Sequence, residues 1–98
     1  MVARVIWSKA SPDLTDAWVE VVNAALIPAA RTQEGYRGYI ALYDREEGVS
    51  ISVTLWENDE TERASELAAR AGREEMARAV NAEMRVDRYE VAAVDIVK

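Results

Sequence analysis

Five side chains in the middle of the chain have the types and spacing to work together: Tyr39, Tyr43, Ser52, Thr54 and Trp56. The run from Val49 to Trp56 alternates without a break, Val49, Ile51, Val53 and Leu55 against Ser50, Ser52, Thr54 and Trp56. That is the period of a strand with two different faces. The preceding run from Gly35 to Asp44 reads as the other arm of a hairpin, and Asp44-Arg45-Glu46-Glu47-Gly48 as its polar loop, ending in a glycine free to turn left-handed. A one-residue slip would oppose polar and apolar side chains along the whole hairpin, so Tyr43 is expected opposite Ser50. On that register Ile40 and Leu42 join the aliphatic face, while Tyr39, Ala41 and Tyr43 join Ser52, Thr54 and Trp56. The aromatic, hydroxylated face is either a half-wet sheet surface or the wall of a pocket for a flat organic ligand, with apolar sides and a few orienting hydrogen-bond groups.

Two zeros narrow the chemistry. The chain has no cysteine and no histidine, which excludes disulfides, thiolate nucleophiles, histidine triads, a His or Cys haem ligand and most protein zinc sites. No metal site is expected. Carboxylates, tyrosines, arginines, amides and the ligand's own reactivity remain. With twelve Lys and Arg against eighteen Asp and Glu, the net charge is −6, and a nucleic-acid partner would meet repulsion. There is neither a run long enough to span a membrane nor a secretory leader, so the default location is cytoplasmic. At 98 residues the chain is read as a single domain, residues 1–98, able to bury roughly two thirds of its unfolded surface.

The elements that must position these residues follow in order. Val2 to Lys9 alternates as a first strand, with Arg4 on the face of Val2, Ile6 and Ser8. Arg4 is either a charge at a strand end near solvent or an anchor for an anionic or enolate oxygen. Ser11-Pro12-Asp13 starts a helix, with Ser11 as N-cap. Leu14, Ala17, Trp18, Val21, Val22, Ala25 and Ala29 form its apolar stripe, which assigns Trp18 to the core and Asn23 to solvent. Pro28 should kink or end this helix. Asn58 caps a second helix whose stripe is Ala64, Leu67, Ala68 and Ala71; Gly72 is expected to bend it before Met76, Ala77, Val80 and Met84. Glu62 and Glu66 are assigned to its solvated side, and either would serve as a base only if buried and raised in pKa. The stretch from Val86 to Val97 reads as a long last strand. The order βαββαβ gives an α+β, ferredoxin-like sandwich. Helices cover one face of such a sheet, and the other needs a partner, so a homodimer is expected.

Gly35-Tyr36-Arg37-Gly38-Tyr39, Leu42-Tyr43-Asp44 with Gly48, Val53-Thr54-Leu55-Trp56-Glu57 and Arg63-Ala64-Ser65-Glu66 together resemble the antibiotic biosynthesis monooxygenase family. The resemblance extends over nearly the whole chain in element order. It implies a dimeric α+β barrel, a pocket between sheet and helices in each protomer, and Val49, Ile51, Val53 and Leu55 turned toward the partner, where hydrophobicity alone would put them under the helices. It also implies a cofactor-independent monooxygenase, requiring no cofactor, that joins molecular oxygen to a small electron-rich aromatic such as a quinol or anthrone. Trp56 matches the family's pocket tryptophan. Trp56, stacking on the ring, Tyr39, Tyr43, Ser52 and Thr54 are then substrate-binding candidates, and Trp56, Tyr39 and Arg4 the catalytic ones. Ser52 and Glu62 stand where anthrone oxidisers of the family carry asparagine and tyrosine. Glu66 stands at the histidine of haem-degrading relatives, which removes haem degradation. Two other readings use the same fold: a non-catalytic small-molecule binder or accessory dimer of a biosynthetic pathway, and an isomerase or cyclase.

Overall fold

A computed structural model describes all residues, Met1–Lys98. Four strands, β1 (Val2–Lys9), β2 (Tyr36–Asp44), β3 (Val49–Trp56) and β4 (Glu83–Glu90), form one antiparallel sheet in the order β2-β3-β1-β4. Helices follow β1 and β3, so the fold is the expected ferredoxin-like α+β arrangement. The hairpin register also holds: Tyr43 pairs with Ser50, Ala41 with Ser52 and Tyr39 with Thr54. Gly48 has φ +69°, and a Cβ there would lie 2.1 Å from the carbonyl oxygen of Ala10, so only glycine fits. Its own carbonyl accepts from the Ala10 N–H at 3.0 Å, tying the hairpin loop to the end of β1.

The hydroxylated face of the sheet turns toward the helices. Ser50, Ser52, Thr54 and Trp56 are all buried, whereas Leu42 on the opposite face is 50% exposed. The face assignment that the family resemblance implies is therefore the observed one, and hydrophobicity alone would have inverted it. Val5, Trp7, Ile40, Ile51 and Val53 share the uncovered face with Leu42.

The first helical region is less regular than its stripe suggests. Pro12–Leu14 forms a single 3-10 turn, where Ser11 precedes it without a side-chain cap hydrogen bond. Then come α1 (Thr15–Val21), a π-turn over Val22–Leu26 and α2 (Ile27–Arg31). Pro28 does not end this helix but stands in the first turn of α2, directly after the π-turn. It offers no N–H to the carbonyl four residues back, and the turn before it widens, with the Ile27 N–H reaching Val22.

Three expectations are corrected in the second half of the chain. α3 (Asp59–Ala79) runs unbroken through Gly72, with Asn58 and Thr61 forming a reciprocal capping box at its start. Of the Ala64, Leu67, Ala68, Ala71 stripe only Ala68 faces the space between helix and sheet. Leu67 is 72% exposed, while Glu62, Ser65 and Glu66 are buried. This helix is held by charge pairing, which an apolar periodicity cannot register. β4 begins at Glu83 and ends at Glu90, earlier than Val86 to Val97, because its only neighbour, β1, is itself eight residues long and pairs Lys9 with Glu83 and Val2 with Glu90. One further bond runs from the Val91 N–H to the Met1 carbonyl at 3.0 Å. The residues beyond run without a strand partner, with Val94, Ile96 and Val97 exposed. No helix is long and apolar enough to cross a membrane.

Candidate functional site

A cavity of about 640 Å³ lies between the sheet and the helices, within the size range of small-molecule sites. Its floor is three cross-strand rungs. Arg4, Thr54 and Tyr39 make the first, Ile6 and Ser52 the second, and Ser8, Ser50 and Tyr43 the third. The helical wall brings Trp18, Val21, Ala69 and Met76 over them. The structure thus gathers Arg4, Tyr39, Tyr43, Ser52, Thr54 and Trp56 around one space. Trp18 faces the same space and is only half-buried, so its assignment to a closed core is corrected.

Trp56 is 1% exposed. Its indole N–H donates to Thr54 Oγ1 at 2.8 Å. The Arg4 guanidinium lies over its ring at 5.3 Å from the centroid, and Tyr36 meets it edge-on at 5.9 Å. Trp56 therefore serves as a wall that holds Arg4, with its own polar atom already engaged.

Arg4 is 6% exposed, which corrects the reading of a strand-end charge in solvent. It donates to Glu62 Oε2 at 3.0 Å, to Ser65 Oγ at 2.9 Å and to the Glu62 carbonyl at 3.3 Å. Its Nε is 3.7 Å from Glu66 and has no hydrogen-bond partner. Arg88 of β4 closes on the other oxygen of Glu62, and Arg73 and Arg70 bond Glu66 at 2.5–2.7 Å and 3.3 Å. Glu62 and Glu66 are thus buried members of a lattice, correcting their assignment to solvent. Four guanidinium groups meet two carboxylates, so the lattice carries excess positive charge at one end of the cavity. Sequence reasoning missed this because β1, α3 and β4 contribute the charges separately.

Burial pushes the Glu66 carboxyl up, but hydrogen bonds from Arg73 and Arg70 and the charges of Arg73 and Arg4 outweigh it, leaving its pKa below the ordinary value of 4.5. A carboxylate held ionised in this way is a poor base at neutral pH. It also links stability to acid. The unfolded chain takes up this proton first, so Glu66's contribution is complete above its unfolded pKa and is lost as pH falls through the lower folded value. Denaturant midpoints measured across that acid range should fall with pH in the wild type and fall less steeply in Glu66→Gln.

Burial raises the Tyr39 hydroxyl pKa, with Ser52 and Arg4 pulling it partly back and Tyr36 adding to the rise. Burial, and then Tyr39, raise that of Tyr43. Both phenols stay protonated at neutral pH and act as hydrogen-bond donors. The Ser8 and Ser50 hydroxyls bond each other at 2.6 Å. The Tyr43 hydroxyl and the Trp18 Nε1–H are buried without partners. No group of three or more His, Cys, Asp or Glu side chains is placed to hold a metal ion.

No family model matches this chain, and no curated protein matches it by sequence. Solved structures do match it by fold. A Deinococcus radiodurans protein provisionally named an antibiotic biosynthesis monooxygenase superposes with a TM-score of 0.79 at 18% identity, over 100% of both chains. SnoaB, a cofactor-independent oxygenase from Streptomyces nogalater, gives 0.67 at 17% identity over 95% of this chain and 94% of its own. The ActVA-Orf6 monooxygenase of Streptomyces coelicolor, solved with nanaomycin D, gives 0.64 at 12% identity over 97% and 92%. The sheet order and the superposition along nearly the full chain agree: this protein shares the ferredoxin-like α+β fold of these solved structures.

Proposed function

We propose that the protein is a cofactor-independent monooxygenase that oxidises an electron-rich, anthrone-like aromatic in this cavity. The observation that carries the reading is the pairing of a largely apolar space with a buried arginine, Arg4, and a protonated phenol, Tyr39, on a single rung. Such a ligand is acidic at its ring methylene because the resulting anion is an enolate. Excess positive charge and a hydrogen-bond donor beside the enolate oxygen lower its pKa, and the proton leaves to water. The anion then passes one electron to molecular oxygen. The two radicals join in a carbon–oxygen bond, the resulting peroxide anion takes back a proton from water, and the hydroperoxide then loses water to leave a carbonyl. One oxygen atom enters the product, the other leaves as water, and no external reductant is needed. The protein's work is to hold the ring, exclude bulk water and favour the anion.

Each protomer would pair with a second copy across the uncovered face of Val5, Trp7, Ile40, Leu42, Ile51 and Val53, by the two-fold contact usual for one chain type. A sedimentation mass of twice 10.9 kDa is expected, and a single-chain mass at tens of micromolar would end the dimer.

A second reading, binding without turnover, is favoured by the absence of a free base, because Glu66 is bound by Arg70 and Arg73. Oxygen uptake with anthrones and hydroquinones separates the two. Wild type should exceed buffer, and Tyr39→Phe should lose roughly tenfold, the worth of one charge-assisted hydrogen bond. No uptake above buffer would discard the oxygenase and leave the binder.

A further inference from the structure

The geometry points to a second hydrogen-bonding pole in the cavity, formed by the Trp18 Nε1–H and the Tyr43 O–H, which takes a neutral oxygen at the far end of a ligand whose acidic oxygen lies at Arg4. This rests on the proposed reading of the cavity as a ligand site, and it adds what the ligand must carry.

The rungs set the length. Arg4 and Ser8 are four residues apart on β1, as are Thr54 and Ser50 on β3 and Tyr39 and Tyr43 on β2. At about 3.3 Å per residue the two ends lie roughly 13 Å apart. The middle rung of Ile6 and Ser52 carries one hydroxyl. Trp18 belongs with the Tyr43 end. Asp16 pairs with Arg45 of the hairpin loop at 2.5 Å, placing the start of α1 there, and Trp18 shares the inward face of the buried Thr15 three residues before it.

Chemistry separates the two poles. Neither Trp18 Nε1 nor Tyr43 Oη has a partner, and the neighbouring Ser8 and Ser50 hydroxyls satisfy each other. Buried donors are costly to leave unbonded. The cations of the hairpin loop and of the end of β1 are engaged elsewhere: Arg45 with Asp16 and Lys9 with Glu47. Two neutral donors without a free cation suit a neutral carbonyl or hydroxyl oxygen and disfavour a carboxylate. The ligand is therefore flat, oxygenated at both ends, and acidic at one.

Two anthraquinones test this by titration calorimetry: one with a single hydroxyl, and one with a hydroxyl on each outer ring. The second should bind wild type about fivefold more tightly, as one net hydrogen bond provides. Trp18→Phe and Tyr43→Phe should each reduce that preference, read as the ratio of the two affinities within the same variant. Their ligand-free melting temperatures should match or exceed wild type, because each removes an unbonded donor. A preference that survives in both variants, its absence in wild type, or binding of neither probe would overturn the second pole. Oxygen uptake without the preference would sink this inference alone. The preference without uptake would sink the oxygenation alone.

Discussion

Replacing Arg4 with leucine should cost the fold about 3–5 kcal/mol, the usual penalty for breaking a buried ion pair by removing one partner. Glu62 is fully buried, and without Arg4 it keeps only Arg88 on one oxygen. Ser65 Oγ and the Glu62 carbonyl also lose the Arg4 donor. Urea denaturation should show a lower midpoint with an unchanged slope. Leucine at both Arg4 and Glu62 should recover most of the loss, because the buried charge goes with its partner and Arg88, 39% exposed at its side chain, can turn to water. An Arg4→Leu variant within 1 kcal/mol of wild type, the worth of a surface pair, would mean that the lattice does not anchor α3 to the sheet.

The lattice marks where sequence reading stops. The hairpin was legible because alternation, loop glycine and register are local, and Tyr43 opposite Ser50 follows from eight consecutive residues. Arg4, by contrast, meets residues 58 and 61 positions away, and Arg88 meets one 26 positions away. Each charge alone looks like a solvated one. Glu62, Ser65 and Glu66 recur at helical spacing, but a search for apolar stripes passes over them and selects Leu67 instead. Helical periodicity puts Trp18 on the inward face of its helix, yet whether that face meets a core or a cavity depends on what lies opposite. Alternation alone puts the final strand too late for a similar reason: Glu83–Glu90 is rich in charge and pairs through β1, whereas the more apolar alternation after it finds no neighbour within the chain.

Trp56→Ala should be as damaging as the loss of Arg4, by about 3–5 kcal/mol, because a large side chain that is 1% exposed leaves a void its neighbours fill only in part. The same change removes the ring beneath the Arg4 guanidinium, the edge contact of Tyr36 and the donor bonded to Thr54. Trp56→Phe keeps an aromatic face and should lose less. Since Arg4 and Trp56 touch, their effects should not add. The double variant Arg4→Leu/Trp56→Ala is expected to fall short of the summed single losses by roughly 0.5–2 kcal/mol, the strength of a desolvated cation–π contact. Additivity within about 0.3 kcal/mol would show the two to be independent. The coupling decides how activity data are to be read. Oxygen uptake lost in Trp56→Ala would follow from a disordered Arg4 and a weakened fold as readily as from a missing ring contact with substrate. Tyr39→Phe, which keeps the ring and removes one hydroxyl, isolates the chemistry.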